Sequence, residues 1–111
     1  MSNKSLYIAV DFDGTVVKHK YPEVGEDINA QKTLRRLVDA GHKLILFTMR
    51  HGDKLDEAIK WYEDNDIELF GVNENPTQHT WTDSPKVYAN IYIHDCALGV
   101  PLMQDLEGNK F

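Results

Sequence analysis

The fold of this 111-residue chain follows from the stretch Leu6-Tyr7-Ile8-Ala9-Val10-Asp11-Phe12-Asp13-Gly14-Thr15. Its first half is a continuous apolar run rich in β-formers, which is typical of a strand buried on both faces. Asp11 ends that run abruptly, and Asp13 follows two residues later. Gly14 then permits a tight turn. The stretch therefore predicts a central strand with two carboxylates at its carboxyl end.

The rest of the chain alternates between helical patterns and further apolar runs. Helical spacing predicts one helix from Asn29, as N-cap, to Gly41, and a second from Asp53, as cap, to the turn near Asn65. Apolar runs predict strands at Lys43–Phe47, Glu68–Val72 and Asn90–Ile93. The intervening segments predict a flap over residues 15–27 and a long surface loop over residues 73–85.

This alternation of strand and helix favours right-handed βαβ crossovers. We expect one domain over residues 1–111, an α/β fold with a single doubly wound (Rossmann-like), mostly parallel sheet, flanking helices and no cap domain. Ligands of such sheets bind beyond the carboxyl ends of the strands. Several polar side chains directly follow predicted strands and should converge there: Asp11, Asp13, Thr48, Arg50, His94 and Asp95.

Composition limits the classes of partner and the compartment. Hydrophobic residues make up 41% of the chain and charged residues 27%, as in a folded soluble protein. The formal net charge of −6 gives no electrostatic footprint for nucleic acid or an anionic membrane. Cys96 is the single cysteine, and the apolar run after Ser5 is too short for a signal peptide or membrane span. We expect a cytoplasmic protein.

Two neighbouring carboxylates are unfavourable unless a cation or a shared proton offsets their repulsion, and hard oxygen ligands suit Mg²⁺ better than zinc. The string from Asp11 to Thr15 resembles the first motif of the haloacid dehalogenase (HAD) superfamily of phosphatases, Asp-x-Asp-Gly-Thr. The other three family motifs occur in the expected order. They are an apolar strand ending in Thr48, Lys86 ahead of the last strand, and Asp95 after it. The resemblance spans roughly Leu6 to Leu102.

The resemblance implies a magnesium-dependent phosphomonoester hydrolase acting through an aspartyl-phosphate intermediate. Asp11 would attack phosphorus, and Asp13 would protonate the leaving oxygen and then activate water. Mg²⁺ would be held by Asp11, Asp95 and the backbone carbonyl of Asp13. Thr48 and Lys86 would stabilise charge on the transferring oxygens.

Four further predictions concern residues in and around this site. Gly14 and Thr15 offer backbone N–H groups to a phosphate. Arg50 either forks onto a substrate anion or faces solvent. His94 stands where many relatives carry a second acid, so it is either a ligand that admits a softer metal or an ordinary polar neighbour. Cys96 is expected to be a small buried filler.

Two other classes of protein compete with the phosphatase. A response-regulator receiver uses a similar acidic cluster, but it needs an aspartate after its third strand, where this chain has Gly71-Val72-Asn73. A non-catalytic relative would bind a phosphorylated ligand or a protein partner, and the absence of a second acid at position 94 motivates it. Without a cap the site would be open to large or varied substrates unless a homo-oligomer covers it.

Overall fold

The computed structural model describes residues 4–96 and contains a single parallel sheet with the strand order β3-β2-β1-β4. Its elements in chain order are β1 (Tyr7–Val10), α1 (Ala30–Asp39), β2 (Lys43–Leu46), α2 (Gly52–Asp64), β3 (Gly71–Val72), a short 3₁₀ helix (Gln78–Thr80) and β4 (Ile91–Ile93). The predicted α/β fold is confirmed, and β1 is an interior strand. The end of the predicted domain, from residue 97 on, lies outside the described residues.

The alternation of side chains along β1 and β2 gives the sheet two apolar faces. On one face, Ile8, Val10, Leu44 and Leu46 pack in a core with Leu34 of α1 and with three residues of α2, Ala58, Trp61 and Tyr62. On the other face, Ala9 and Ile45 pack with Ala89 and Val87 of the segment that precedes β4. Within residues 4–96, both α-helices therefore cover the same face.

The helix ends differ in part from the prediction. At the end of α1, Gly41 has φ +95° and its N–H donates to Val38 O at 2.9 Å, while His42 N–H donates to Leu37 O at 3.0 Å. This pair of bonds is a Schellman motif, as Gly41 predicted. Asn29, however, has φ 68° and makes no side-chain capping bond. Asn29 tolerates this left-handed conformation, which turns its side chain away from the helix N–H groups.

The second helix begins two residues earlier than predicted, because His51 and not Asp53 occupies the N-cap position and Gly52 is the first helical residue. Asp53 is therefore no cap but an acidic side chain in the first turn, where it interacts favourably with the helix dipole. Strand β3 is shorter than predicted, since only Gly71 and Val72 pair with β2. The residues before it carry the chain from α2 to the edge of the sheet, and Ile67 is buried on the way.

The order in which successive strands join the sheet reverses at β1. The chain runs outward through β2 to β3 and then returns to place β4 on the opposite side of β1. The carboxyl ends of β1 and β4 thus flank the crevice in which ligands of such sheets bind. Neither α-helix found in residues 4–96 is long and apolar enough to cross a membrane.

Candidate active site

A cavity of about 470 Å³ lies at this crevice and contains most of the predicted site residues. Its lining residues are Asp11, Asp13, His19, Tyr21, Thr48, Met49, Arg50, His51, His94, Asp95 and Cys96. Nine of these residues follow the carboxyl ends of β1, β2 and β4, and the flap supplies His19 and Tyr21. The six side chains that follow predicted strands therefore converge on one cavity, as the strand-end rule predicts.

Asp11 is the innermost carboxylate of the cavity. Its N–H donates to Ile93 O at 2.9 Å, which ties the end of β1 to β4, and only 8% of the residue is exposed. Burial raises the pKa of Asp11, against the opposing effects of the Phe12 N–H, the nearby His94 and the Thr15 hydroxyl. The ionised Asp11 carboxylate thus has too few hydrogen-bond and charge partners to offset its burial. A bound cation would supply the compensating positive charge.

Thr15 and His94 connect Asp11 to Asp95. The Thr15 hydroxyl donates to Asp11 Oδ2 at 3.3 Å and accepts the Asp95 N–H at 3.0 Å. The imidazole of His94 lies between the two carboxylates, with Nε2 3.7 Å from Asp11 Oδ2 and Nδ1 3.3 Å from Asp95 Oδ1. Asp11 and Asp95, the two predicted metal-binding acids, therefore both contact the His94 imidazole, one at each ring nitrogen.

Gly14 allows the close approach of Asp95. It has φ +82°, and a Cβ atom at this position would lie 2.5 Å from Asp95 Oδ2. Such a separation is far shorter than a van der Waals contact. A side chain at residue 14 would therefore displace the Asp95 carboxylate, in addition to straining the backbone.

Asp13 has quite different partners from Asp11. Arg50 forms a bidentate ion pair with it, through Nε to Oδ2 at 2.8 Å and Nη2 to Oδ1 at 2.7 Å. The hydrogen bonds to Asp13 are the main cause of a raised pKa for Arg50. The side chains of Arg50 and Asp13 are 1% and 13% exposed, so the pair is largely shielded from water while Asp13 still borders the cavity.

This geometry departs from both predictions for Arg50. The residue is only 2% exposed, so it does not face solvent. It does not present its guanidinium to a substrate either, because its donors are directed at Asp13 and at backbone carbonyls of the chain. Arg50 therefore supports the wall of the cavity and has no donor directed at a ligand.

The backbone donors predicted for phosphate binding are already engaged. Gly14 N–H donates to Val17 O at 2.9 Å and Thr15 N–H to Phe12 O at 3.2 Å, since both close the turn that follows β1. Thr48 N–H donates to Asn73 Oδ1 at 2.8 Å, and Thr48 Oγ1 accepts the Arg50 N–H at 3.2 Å. The hydroxyl proton is therefore the donor that Thr48 retains for a ligand.

Asn73 is a site residue that sequence reasoning did not select. It follows β3 directly, has φ 53° and holds the N–H of Thr48 with its side-chain oxygen. The rule that selected the other residues, a polar side chain after a parallel strand, would have selected this one as well.

Lys86 lies beside the cavity and not in it. Its side chain lines an adjoining cavity of about 570 Å³, together with Phe47, Val87 and Tyr92. The two cavities share His94 and Cys96. Within residues 4–96, Lys86 forms no ion pair. The structure thus brings Lys86 to the neighbourhood of the acidic cluster but not into contact with it.

The residue after Asp95 contradicts its prediction. Cys96 is exposed and is not a buried filler, because it extends past the end of β4. The negative charge of Asp95 raises the pKa of its thiol. His94, Asp95 and Cys96 could each offer one ligand atom within 4.8 Å of the others. With Asp11, the cavity contains oxygen donors that fit Mg²⁺ and an imidazole that also accepts softer ions.

These features define the chain as an α/β protein with an acidic site at the switch point of its sheet. A solved structure described as a conserved protein coded by a locus from Bacteroides thetaiotaomicron is 38% identical in sequence, with a TM-score of 0.79. The match covers 86% of this chain and 79% of the Bacteroides chain. The chain therefore belongs to the same family as that protein. No family model and no curated protein matches it.

Proposed function

We propose that this protein is a magnesium-dependent phosphomonoester hydrolase in which Asp11 is the nucleophile. The main support is one observation: a nearly buried carboxylate with a raised pKa lies at the switch point of a parallel sheet, beside a second carboxylate. Such a group is costly to maintain for stability alone, and perturbed carboxylates in a cavity are typical of functional sites.

The two acids of the turn after β1 would perform different steps. An oxygen of Asp11 forms a bond to phosphorus as the ester P–O bond breaks, and Asp13 transfers a proton to the departing oxygen. In the second step Asp13 takes a proton from water, whose oxygen attacks phosphorus and releases Asp11. Asp13 thereby regains its proton and inorganic phosphate leaves.

A magnesium ion would be held by the carboxylates of Asp11 and Asp95 and the backbone carbonyl of Asp13, since oxygen donors of this kind suit that ion. When bound, the ion would reduce the repulsion between the anionic nucleophile and an anionic phosphate. Thr15 would keep the two side chains in register, because its hydroxyl contacts both residues. His94 would either join the ion or orient both carboxylates from between them.

Charge on the transferring oxygens would be stabilised by the hydroxyl of Thr48 and by Lys86. Lys86 is exposed, and the adjoining cavity it lines meets the Asp11 cavity at His94. Its ammonium would turn across this boundary once a phosphate dianion occupies the site. Arg50 does not join this group, because its donors are already used.

A non-catalytic role is the second candidate. It is favoured by the position of Lys86 outside the cavity and by the engaged N–H groups of Gly14 and Thr15. In that case the cavity would bind a phosphorylated ligand or a protein partner without turnover. Under either function we propose a cytoplasmic protein, whose exposed cysteine is compatible with a reducing compartment.

The test is hydrolysis of an activated aryl phosphate by the wild type, Asp11→Asn and Asp56→Asn, each with Mg²⁺ and with a chelator. Asp56 is an exposed carboxylate on α2 and serves as the matched control. We expect magnesium-dependent turnover by the wild type and Asp56→Asn, and a loss of about 10⁴-fold or more in Asp11→Asn. An unchanged rate in Asp11→Asn would disprove the nucleophile assignment. Tight phosphate binding without turnover would favour the second candidate.

A further inference from the structure

Arg50 is held in the interior beneath the candidate site by two aromatic rings. Its guanidinium carbon lies 5.2 Å from the ring centroid of Phe12 and 5.1 Å from that of Tyr21. Phe12 stands between the two acids in sequence and is fully buried, while Tyr21 belongs to the flap. The cation is thus stacked between the turn that carries the acids and the segment that covers them.

Each of the five N–H donors of an arginine is used at this position. Two reach the carboxylate of Asp13, as described above. The remaining three are directed at backbone carbonyls, with Nη2 2.8 Å from Glu23 O, and Nη1 3.1 Å from Lys54 O and 3.4 Å from Pro22 O. The guanidinium therefore connects Asp13, the flap and the first turn of α2.

The ion pair fixes the carboxylate of Asp13 and still leaves it able to act on a substrate. Each carboxylate oxygen accepts one bond from Arg50 and has a second lone pair, on which Asp13 carries the proton that it transfers to the leaving oxygen and later regains from water. A planar fork restrains both the position and the rotation of a carboxylate, which a single-point donor such as lysine does not. A proton-transferring group needs this kind of restraint, because small misplacements of reacting groups are costly in rate.

We propose that Arg50 is a positioning residue, which aims the Asp13 carboxylate at the leaving-group oxygen and seats the flap through Pro22 and Glu23. The role of Arg50 in directing Asp13 rests on the proposed function. Its role in seating the flap does not. The flap is attached at its carboxyl-terminal end by Asp27, whose Oδ1 accepts from Trp61 Nε1 at 2.8 Å. Arg50 fastens its middle through Pro22 and Glu23, next to Val24, which packs against the core.

The kinetic test compares two phosphate esters that differ in leaving group. Protonation of the leaving oxygen matters for an alkyl phosphate and hardly at all for an activated aryl phosphate. In kcat/KM, which reports the first chemical step, Arg50→Met should lose about 10²-fold on the alkyl ester and less than about tenfold on the aryl ester. Arg50→Lys should recover part of the loss, since it keeps the charge without the fork.

Arg35→Met is the matched control, because Arg35 is exposed on α1 and donates to Asn65 O away from the cavity. It should leave both esters unaffected. Equal losses on the two esters in Arg50→Met and Arg50→Lys would overturn the positioning role, since a general structural defect has no leaving-group dependence. If the wild type hydrolyses neither ester, the proposed function fails, and the Asp13 half of the inference fails with it.

A second measurement decides the flap half without any turnover. Limited trypsin digestion should cleave after Lys20, in the flap, several-fold faster in Arg50→Met than in the wild type. Cleavage after Lys60, in α2, reports global unfolding and serves as the internal reference. An increase at Lys20 relative to Lys60 supports the seating of the flap. An unchanged ratio between the two sites would overturn it.

Discussion

Asp11 and Asp13 stand two residues apart on one turn, and the fold gives their carboxylates opposite surroundings. Asp13 is paired through both oxygens with a buried arginine. Asp11 is equally sheltered from water, but it accepts only one long side-chain hydrogen bond, from Thr15, and its pKa is raised by burial. Asp13 is thus held by an ion pair, whereas Asp11 needs a cation or a proton to offset the cost of its burial.

These surroundings suit Asp11 to nucleophilic attack and Asp13 to proton transfer. A nucleophile must have an oxygen free to reach phosphorus, and Asp11 has one. A proton-transferring group must be held in a defined direction, and Asp13 is. Environments that separate two neighbouring carboxyl groups in this way are a general means of assigning them different chemical roles.

The largest effect should distinguish the two acids in turnover of an activated aryl phosphate. Asp11→Asn should lose about 10⁴-fold or more in kcat, because no other group replaces the nucleophile. Asp13→Asn should lose less, about 10²-fold, since an activated leaving group needs little protonation. Steady-state rates in saturating Mg²⁺ measure both losses. Similar losses in the two variants would remove the proposed division of roles.

The next effect concerns the stability that the anchored acid gives. Arg50→Met should reduce the free energy of unfolding by about 3 kcal/mol, because it leaves the Asp13 carboxylate without its partner in a shielded position. Urea denaturation measures the change, with Arg35→Met as a control that should cost less than about 1 kcal/mol. A cost for Arg50→Met no greater than that of the control would mean that the pair contributes little.

A smaller effect should appear at Gly14, whose missing side chain lets the Asp95 carboxylate approach the turn. Gly14→Ala should weaken Mg²⁺ binding by about tenfold, or about 1.4 kcal/mol, because the new methyl group displaces the Asp95 carboxylate. Gly41→Ala is the matched control: φ is also positive there, at +95°, but no atom lies within 4 Å of the added carbon. Calorimetric titration should show weaker binding only in Gly14→Ala. Equal affinities would show that Asp95 is not a ligand.

The smallest effect is a gain in stability. Because the folded-state pKa of Asp11 is raised above 3.8, its ionisation disfavours the folded state as pH rises through that pKa. Asn carries no such cost, so in chelator Asp11→Asn should be more stable than the wild type at neutral pH. The gain should vanish below pH 3.8. Thermal melts against Asp56→Asn test this, and a destabilised Asp11→Asn at neutral pH would contradict it.

The sequence predicts the sheet and the location of the site because both depend on local patterns. The apolar runs of β1 and β2 and the acids that follow them are contiguous in the chain. Parallel pairing then brings strand ends together regardless of loop details. The cap of α1 and the length of β3 were predicted less well, since backbone conformation at Asn29 and pairing at a sheet edge depend on the surrounding fold.

The partners of the site residues were not predictable in the same way. Asp13 and Arg50 are separated by 37 residues, and nothing in either neighbourhood indicates a fork between them. The occupied N–H groups of Gly14 and Thr15 follow from the shape of one turn, which residue types alone do not determine. Sequence patterns thus indicate which side chains meet at a sheet edge, whereas their hydrogen-bond partners require coordinates.

As the nucleophile, Asp11 would take a phosphoryl group onto its own oxygen during turnover. The most direct measurement is to quench the protein during turnover of an aryl phosphate, reduce the acyl phosphate with borohydride and map the product by mass spectrometry. We expect homoserine at position 11, only when substrate and Mg²⁺ are both present. Homoserine at position 13 or 95, or turnover with unmodified Asp11, would contradict the account.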